Sequence, residues 1–284
     1  MNTNQTLTSL EHLGLLSVSG QDAKKFLQGQ LTCNMDEITP SVAHLAAHCN
    51  PQGRIISLFR IFIHNDQYYL QMPKDLIPIA YNNLKKYAVF FKVNLTDESK
   101  NLMILGGEGT PPDNLPNDFI ILKLADMNNY EIIGKPEQIK KIFTHYQNDI
   151  NGWHAQEIAA GIPTIYAVTS EKFLPHELNL QKLNGISFNK GCYTGQEIIA
   201  RMQYRGKLKN HMYRARLKTT IPPQYGNEIN NSERSTGSIV DYVSIGYNIY
   251  ELLIIASEAD VNAGSMYLHK EPLEFLTLPY DNKG

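Results

Sequence analysis

The hydrophobic positions in the first two thirds of the chain follow two periods, one typical of strands and one typical of helices. Apolar residues three and four positions apart predict helices, as where Phe26, Leu27 and Leu31 follow Gly20. Apolar runs bounded by turn residues predict strands. Strands are expected at 15–18, 92–97, 101–108, 119–125 and 130–134. Three further strands are expected within 44–72, separated by turns at 50–53 and 65–66. Helices are expected at 22–31, 75–91, 134–148 and 156–161. This mixture predicts an α+β fold.

The pattern changes after about residue 205. Residues 212–218, 237–247 and 250–257 are rich in β-branched and aromatic side chains, and helical periodicity is absent around them. Such a series of short strands predicts a small antiparallel barrel. We therefore expect an α+β region of two subdomains over residues 1–205 and a C-terminal β-barrel domain over residues 206–284.

Composition narrows the class of protein without giving a function. The chain has 284 residues, 42% of them hydrophobic and 19% charged, with a net charge of −2, which is typical of an ordinary globular protein. The most apolar run, residues 55–63, is interrupted by Arg60, so no membrane span is expected. The three cysteines are far apart and no secretory signal is visible, which favours a reducing cytoplasm. No zinc or iron–sulfur ligand spacing is present, so no resident metal is expected.

The segment KGCYTGQE, residues 190–197, brings together residue types that activate a thiol. Thr194 and Glu197 have the spacing of a capping box, which marks the start of a helix. The positive end of that helix and the nearby Lys190 both favour the thiolate form of Cys192, which is the reactive form. A buried structural cysteine in a tight turn explains the residues equally well.

A run of positive charge follows this segment. Seven Lys or Arg residues and no acidic residue occur between Arg201 and Lys218. Arg214, Arg216 and Lys218 alternate with apolar residues, which places them on one face of a strand. A solvated strand face is the favoured interpretation, and the alternative is a site for folate glutamates, RNA phosphate or an acidic partner.

With these residues in view, the chain resembles the YgfZ-type folate-binding proteins. The match is carried by KGCYTGQE and by further segments in the same order: FLQGQLT at 26–32, AAHCNPQGR at 46–54, LKKYAVFFKV at 84–93 and AGIP at 160–163. This family is similar in fold to aminomethyltransferase, the T-protein of glycine cleavage. The resemblance implies a three-domain ring around a central folate channel, with the β-barrel at the C-terminus.

The resemblance also implies a set of site residues. Trp153 matches a family tryptophan that contacts folate, and an indole suits stacking on a pteridine ring, although the residues alone favour a packing role. Leu13 stands where the family has a second such tryptophan. Cys192 and Lys190 are the implied functional pair, and the arginines are expected near the glutamate tail of the ligand. The implied folate-binding residues are Trp153, Leu13, Tyr193, Gln196, Glu197, Arg201 and Arg205.

The position of the aminomethyltransferase catalytic aspartate differs in this chain. Acidic residues follow the glycine turn in those enzymes, whereas Ile56 and Ser57 stand there in this sequence. Neither side chain can accept a proton from an amine as a carboxylate does. The resemblance therefore implies that aminomethyl transfer has been lost and that the folate channel remains.

Three functional hypotheses follow. The leading one is an accessory protein that binds tetrahydrofolate or a one-carbon derivative and presents Cys192. In that role it would support iron–sulfur proteins, including an enzyme that thiolates tRNA. The second is a folate-dependent one-carbon (aminomethyl) transferase. The third is a module that binds tRNA directly through the basic run at residues 201–218.

Overall fold

The computed structural model describes residues 6–113, 115–124, 127–206, 208–231 and 234–281. Its strands form an open nine-stranded sheet and a closed six-stranded barrel. The sheet contains β1 (Thr8–Ser9), β2 (Leu13–Ser19), β3 (Val42–Cys49), β4 (Ile55–His64), β5 (Gln67–Pro73), β6 (Asn94–Asp97), β7 (Met103–Glu108), β8 (Ile120–Leu124) and β9 (Asn129–Gly134). The barrel contains β10 (Asn210–Lys218), β11 (Glu228–Asn230), β12 (Ser235–Gly246), β13 (Ile249–Ser257), β14 (Tyr267–Leu268) and β15 (Glu271–Leu276).

The helices are short and lie outside the two β-structures. Within the described ranges they are α1 (Ala23–Gln28), α2 (Ile77–Ala88), α3 (Pro136–Ile142), α4 (Asn151–Ala160), α5 (Gln196–Tyr204) and α6 (Glu258–Ala263). The predicted α+β class is confirmed, and every predicted strand is present. Ala125, the last residue of one predicted strand, lies outside the described residues.

One helix is much shorter than predicted. The apolar spacing predicted a helix over residues 134–148, but α3 ends at Ile142. The following backbone is extended and joins the edge of the sheet, where the Ser9 amide donates to the Gln147 carbonyl at 2.7 Å and the Gln147 amide donates to Leu7 at 2.8 Å. Pairing with an otherwise open sheet edge therefore replaces the last helical turns.

The open sheet consists of two antiparallel groups joined by a short parallel contact. The strand order is β1-β7-β9-β8-β3-β4-β5-β2-β6. The joint is the parallel pair of β3 and β8, where Val42 lies opposite Lys123 and Ala43 opposite Leu124. The predicted burial of Phe26, Leu27 and Leu31 in the main core is confirmed, although α1 ends at Gln28 and Leu31 follows it.

The barrel closes through β10, which pairs with both β13 and β15. Its interior is filled by small and branched apolar side chains, among them Ala215, Leu217 and Ile254. Alternate residues on the outer side, such as Met212 and Leu253, belong to the main core shared with the N-terminal region. The barrel is therefore packed against the sheet region, and its strands confirm the β-rich pattern predicted after residue 205. No helix in the described ranges is long and apolar enough to cross a membrane.

Candidate functional site

A cavity lies where β4, β5, α4 and the segment after α4 meet. It encloses about 470 Å³ of empty space, part of it open to solvent. Its lining combines apolar side chains with polar ones, and the polar ones are called the polar wall. The lining residues are His12, Leu13, Leu45, Leu58, Phe59, Arg60, Gln71, Met72, Pro73, His154, Glu157, Ile162, Pro163, Thr164 and Tyr166.

The polar wall is held by buried hydrogen bonds and an ion pair. Arg60 on β4 and Glu157 on α4 form an ion pair at 2.8 Å. The Gln71 amide nitrogen donates to Glu131 at 2.8 Å, behind the cavity wall. Burial raises the pKa of Glu131 to about 7, against the opposing effects of the Arg60 charge and the Gln71 hydrogen bond. The lining is thus fixed in place, and the Glu131 carboxyl group behind it titrates near neutrality.

Two polar atoms of the lining residues lack a partner. Gln71 Oε1 and His12 Nδ1 are buried and make no hydrogen bond within the part of the chain that the structure describes. Gln71 is only 3% exposed. An unpaired buried polar group costs about 1–3 kcal/mol, and a polar ligand or water removes that cost. The cavity therefore offers unused hydrogen-bonding atoms to a ligand.

A second buried pair connects the cavity to the barrel. His154 Nε2 lies 2.9 Å from Asp241 of β12, and the Tyr166 hydroxyl donates to the same carboxylate at 3.3 Å. Burial alone lowers the pKa of His154, but the charge and hydrogen bond of Asp241 outweigh burial and raise it to about 9. The two side chains therefore form a protonated histidine–carboxylate pair between α4 and the barrel at neutral pH.

This pair should make stability depend on pH. The folded pKa of His154 is about 9 against an ordinary 6.5, so its contribution is complete below pH 6.5 and is lost as the pH rises through 9. The free energy of unfolding of the wild type should fall between pH 7 and pH 9, and we expect Asp241→Asn to make that fall smaller by about 1–2 kcal/mol. Chemical denaturation of the wild type and the variant at pH 7 and pH 9 measures the effect, because Glu131 is present in both proteins and its titration cancels in the comparison. An unchanged pH dependence in the variant would contradict the assignment.

Of the residues that the family resemblance implied, Leu13 lines this cavity and Trp153 does not. Trp153 is 5% exposed and packs in a core, with its ring directly over Gly106 of β7. Successive helix residues point about 100° apart, so the α4 face that presents His154 and Glu157 to the cavity turns Trp153 towards the sheet. Trp153 therefore packs beside this cavity, and its contact with folate stays a prediction.

The signature segment, residues 190–197, forms a loop that packs elsewhere. Lys190 Nζ donates to the carbonyls of Leu31 and Cys33 at 2.7 and 2.6 Å, so its hydrogen bonds tie the loop to the chain after α1. Burial lowers the pKa of Lys190 to about 8. These hydrogen bonds hold the loop, and the effect of Lys190 on Cys192 stays a prediction.

The predicted capping box is not formed. α5 begins after Gly195, which is the cap residue with a φ of +83° and no side-chain cap hydrogen bond. A Cβ at Gly195 would lie 2.6 Å from the Asn50 carbonyl oxygen, so this position excludes larger residues. Thr194 lies within 3.4 Å of Gln30 instead of capping the helix. The close approach of two loops, rather than a capping side chain, determines where the helix starts.

The three cysteines differ sharply in environment. Cys192 is exposed, whereas Cys33 and Cys49 are buried. Burial raises the pKa of Cys33 to about 11 and raises the pKa of Cys49 further. An added Cβ at Gly191 would meet nothing within 4 Å, so the backbone next to Cys192 is open. The exposure of Cys192 excludes the buried structural cysteine that the sequence left open, but Cys192 is not among the residues that line the cavity.

The other signature residues are divided between core and surface. Tyr193 is buried, with the Lys190 ammonium 4.9 Å from its ring centre. Gln196 is half-buried in the first turn of α5. An open concavity on α5, separate from the cavity, is lined by Glu197, Ala200, Arg201, Tyr204 and Arg205.

The strand part of the basic run is neutralised by an acidic residue. Arg214 Nε and Arg216 Nη2 both bind the Glu251 carboxylate, at 3.0 and 3.1 Å. This pairing explains why alternate basic residues are stable on one strand face, where the favoured interpretation predicted solvation alone. Lys207 of the run lies outside the described residues.

Neither position that replaces the catalytic aspartate belongs to the cavity. Ile56 and Ser57 are buried in β4 and do not line it. Glu157 is the only carboxylate among the described lining residues, and it is paired with Arg60. No group of three His, Cys, Asp or Glu side chains in the described residues is arranged to hold a metal ion.

Sequence reasoning missed most of the polar wall. Arg60 was noticed only as an interruption of an apolar run, yet a single charge within a buried strand is itself a sign of a functional or paired group. His154 and Glu157 are three residues apart and precede AGIP, a spacing that places them on one helix face. Neither Gln71 nor Asp241 stands in a sequence pattern that predicts a functional residue.

The fold and cavity define a class of protein. The structure matches the crystal structure of glycine cleavage system aminomethyltransferase T from Bartonella henselae, with a TM-score of 0.69 over 97% of this chain and 86% of that chain. The two sequences are 13% identical, so the likeness establishes the T-protein fold alone. The expected fold class, including its C-terminal barrel, is confirmed.

Curated relatives identify the family. tRNA-modifying protein YgfZ from Photobacterium profundum is 35% identical over 81% of this chain and 75% of its own length. The protein of that name from Vibrio vulnificus is 32% identical over 80% and 74%. An uncharacterised protein from Haemophilus influenzae is 32% identical over 96% and 97%. No family model matches the chain. The chain belongs to the YgfZ family.

Proposed function

We propose that the chain is a folate-binding accessory protein of tRNA modification that acts in the cytoplasm. Its role would be to support the synthesis or repair of iron–sulfur enzymes, including those that thiolate tRNA. The observation that carries the folate assignment is the cavity between β4, β5 and α4, with its paired and unpaired polar groups. The name of the curated relatives, tRNA-modifying protein, supports the wider role.

A reduced pterin has the chemistry that this cavity would recognise. Its ring has a polar edge that both donates and accepts hydrogen bonds, and its faces are apolar. Glu157 retains acceptor sites beyond its Arg60 pair, and Gln71 Oε1 is an unused acceptor, so both can receive the pterin N–H groups. Leu13 and Phe59 supply apolar surface for the ring faces. The proposed ligand is tetrahydrofolate or a one-carbon derivative.

Cys192 is the proposed functional thiol. It is exposed on an open loop, so a partner protein can reach its sulfur. A single cysteine cannot hold an iron–sulfur cluster by itself, so the partner must supply the remaining ligands. The expected partners are iron–sulfur proteins, including a tRNA-thiolating enzyme.

A folate titration with and without the thiol tests the proposal. Binding of 5-formyltetrahydrofolate, followed by the emission of Trp153, should be equal in the wild type and in Cys192→Ala, because Cys192 lies outside the cavity. In cells that depend on the protein, Cys192→Ala should lower thiolated tRNA nucleosides measured by mass spectrometry. Absence of folate binding would refute the ligand, and normal tRNA thiolation in the variant would refute the thiol.

Aminomethyl transfer is the second candidate, favoured by the T-protein fold. The cavity wall offers that reaction one carboxylate, Glu157, which is already paired with Arg60. A glycine-cleavage assay with the lipoylated carrier protein separates the two candidates, since the accessory role predicts no turnover.

A further inference from the structure

The open concavity on α5 carries two arginines and a tyrosine that do not line the folate cavity. Arg201, Tyr204 and Arg205 lie on one side of this helix, because residues three and four apart share a face. All three are exposed. Glu197 lies one turn before Arg201 and bounds the surface at the start of the helix. We call Arg201, Tyr204 and Arg205 the α5 surface.

The two arginines of the α5 surface are available to an anion. Neither forms an ion pair with any side chain in the described residues, whereas Arg214 and Arg216 of the same basic run are both bound to Glu251. One helical turn, about 6 Å, separates them along the helix. Two unpaired positive charges of the run are thus placed one helical turn apart on α5, in a chain whose net charge is −2.

The aromatic residue between the arginines is held in place. Tyr204 is 69% exposed, yet its ring packs edge-on against Phe188 at 6.1 Å between centroids. Phe188 is in turn braced by His176, whose Nε2 lies 3.2 Å from Gln203 Oε1. The contact with Phe188 therefore orients the Tyr204 ring while leaving it open to solvent. A ring that is already oriented loses less entropy when a base stacks on it.

We propose that the α5 surface binds a single-stranded segment of RNA. Guanidinium groups bind phosphates in a fork geometry, and an exposed aromatic ring stacks on an unpaired base. An acidic peptide would use the arginines but leave the aromatic ring without a matching group. The inference deepens the proposed link to tRNA modification, and it is independent of folate binding in the cavity.

The test is a binding measurement with a fluorescein-labelled, unstructured RNA of about 12 nucleotides. Arg201→Gln/Arg205→Gln should weaken binding and reduce the slope of log affinity against log salt by about 1.4, for two lost phosphate contacts on a single strand. Tyr204→Ala should weaken binding by about 5- to 100-fold, while Tyr204→Phe, which keeps the ring, should retain it.

Matched control variants remove two positive charges or one exposed aromatic ring from surfaces outside α5. Lys140→Gln/Lys141→Gln changes the net charge equally on the exposed face of α3, and Tyr247→Ala removes an exposed ring from the barrel. Equal losses in these controls, or no RNA binding by the wild type, would overturn the proposal. So would displacement of the RNA by a poly-glutamate peptide of equal charge. A folate titration of the same variants should be unchanged, and a weaker affinity for polyglutamylated folate would assign the surface to the folate tail instead.

Discussion

Cys192 is expected to react with iodoacetamide at least about 100-fold faster than Cys33 or Cys49 in the folded protein. Cys192 is exposed, and the other two thiols are buried. Burial raises the pKa of Cys33 to about 11, so about one molecule in a thousand carries its thiolate at pH 8. Cys49 is fully buried and its pKa is raised further, for the same reason.

The reaction is followed at pH 8 by mass spectrometry of the three cysteine peptides. In denaturant all three thiols should react at similar rates, which supplies the internal control. Lys190→Ala should lower stability and speed the labelling of Cys33, because the ammonium ties the loop to the carbonyls of Leu31 and Cys33. Labelling of Cys33 or Cys49 as fast as Cys192 in the folded wild type would show that the motif is structural.

The strands could be predicted from the sequence because their apolar runs are bounded by strong turn residues. The turn at residues 50–53 is an example, with Gly53 at a φ of +75° between β3 and β4. The end of α3 could not be predicted in this way. Its continuation has helical spacing, but backbone pairing of Gln147 with the sheet edge replaces the helix, and such a contact between distant residues leaves no local pattern.

The candidate site was predicted only in part. The signature segment identified an exposed thiol correctly, because its composition is unusual. Its capping box is not formed, since Lys190 and Gly195 are constrained by residues about 140 to 160 positions earlier in the chain. The polar wall of the cavity joins β4, β5 and α4. A site assembled from separate elements has no spacing that a sequence can reveal.

The measurement that tests the folate site most directly compares two glutamates by isothermal titration with 5-formyltetrahydrofolate. Glu157 and Glu251 are both buried and both paired with arginine, at 2.8 Å to Arg60 and at 3.1 Å to Arg216. Changing either to Gln therefore disturbs a buried arginine–carboxylate pairing, which Glu251 makes with Arg214 as well. Only Glu157 lines the cavity.

We expect Glu157→Gln to weaken folate binding by about 10- to 100-fold, because a hydrogen bond to a charged acceptor contributes about 1.5–3 kcal/mol. Glu251→Gln should leave the affinity within about two-fold of the wild type, since its carboxylate lies in the barrel. Thermal unfolding of both variants confirms that each is folded at the temperature of the titration. Equal folate affinity in the wild type and Glu157→Gln, or no binding by the wild type, would contradict the assignment of this cavity as the folate site.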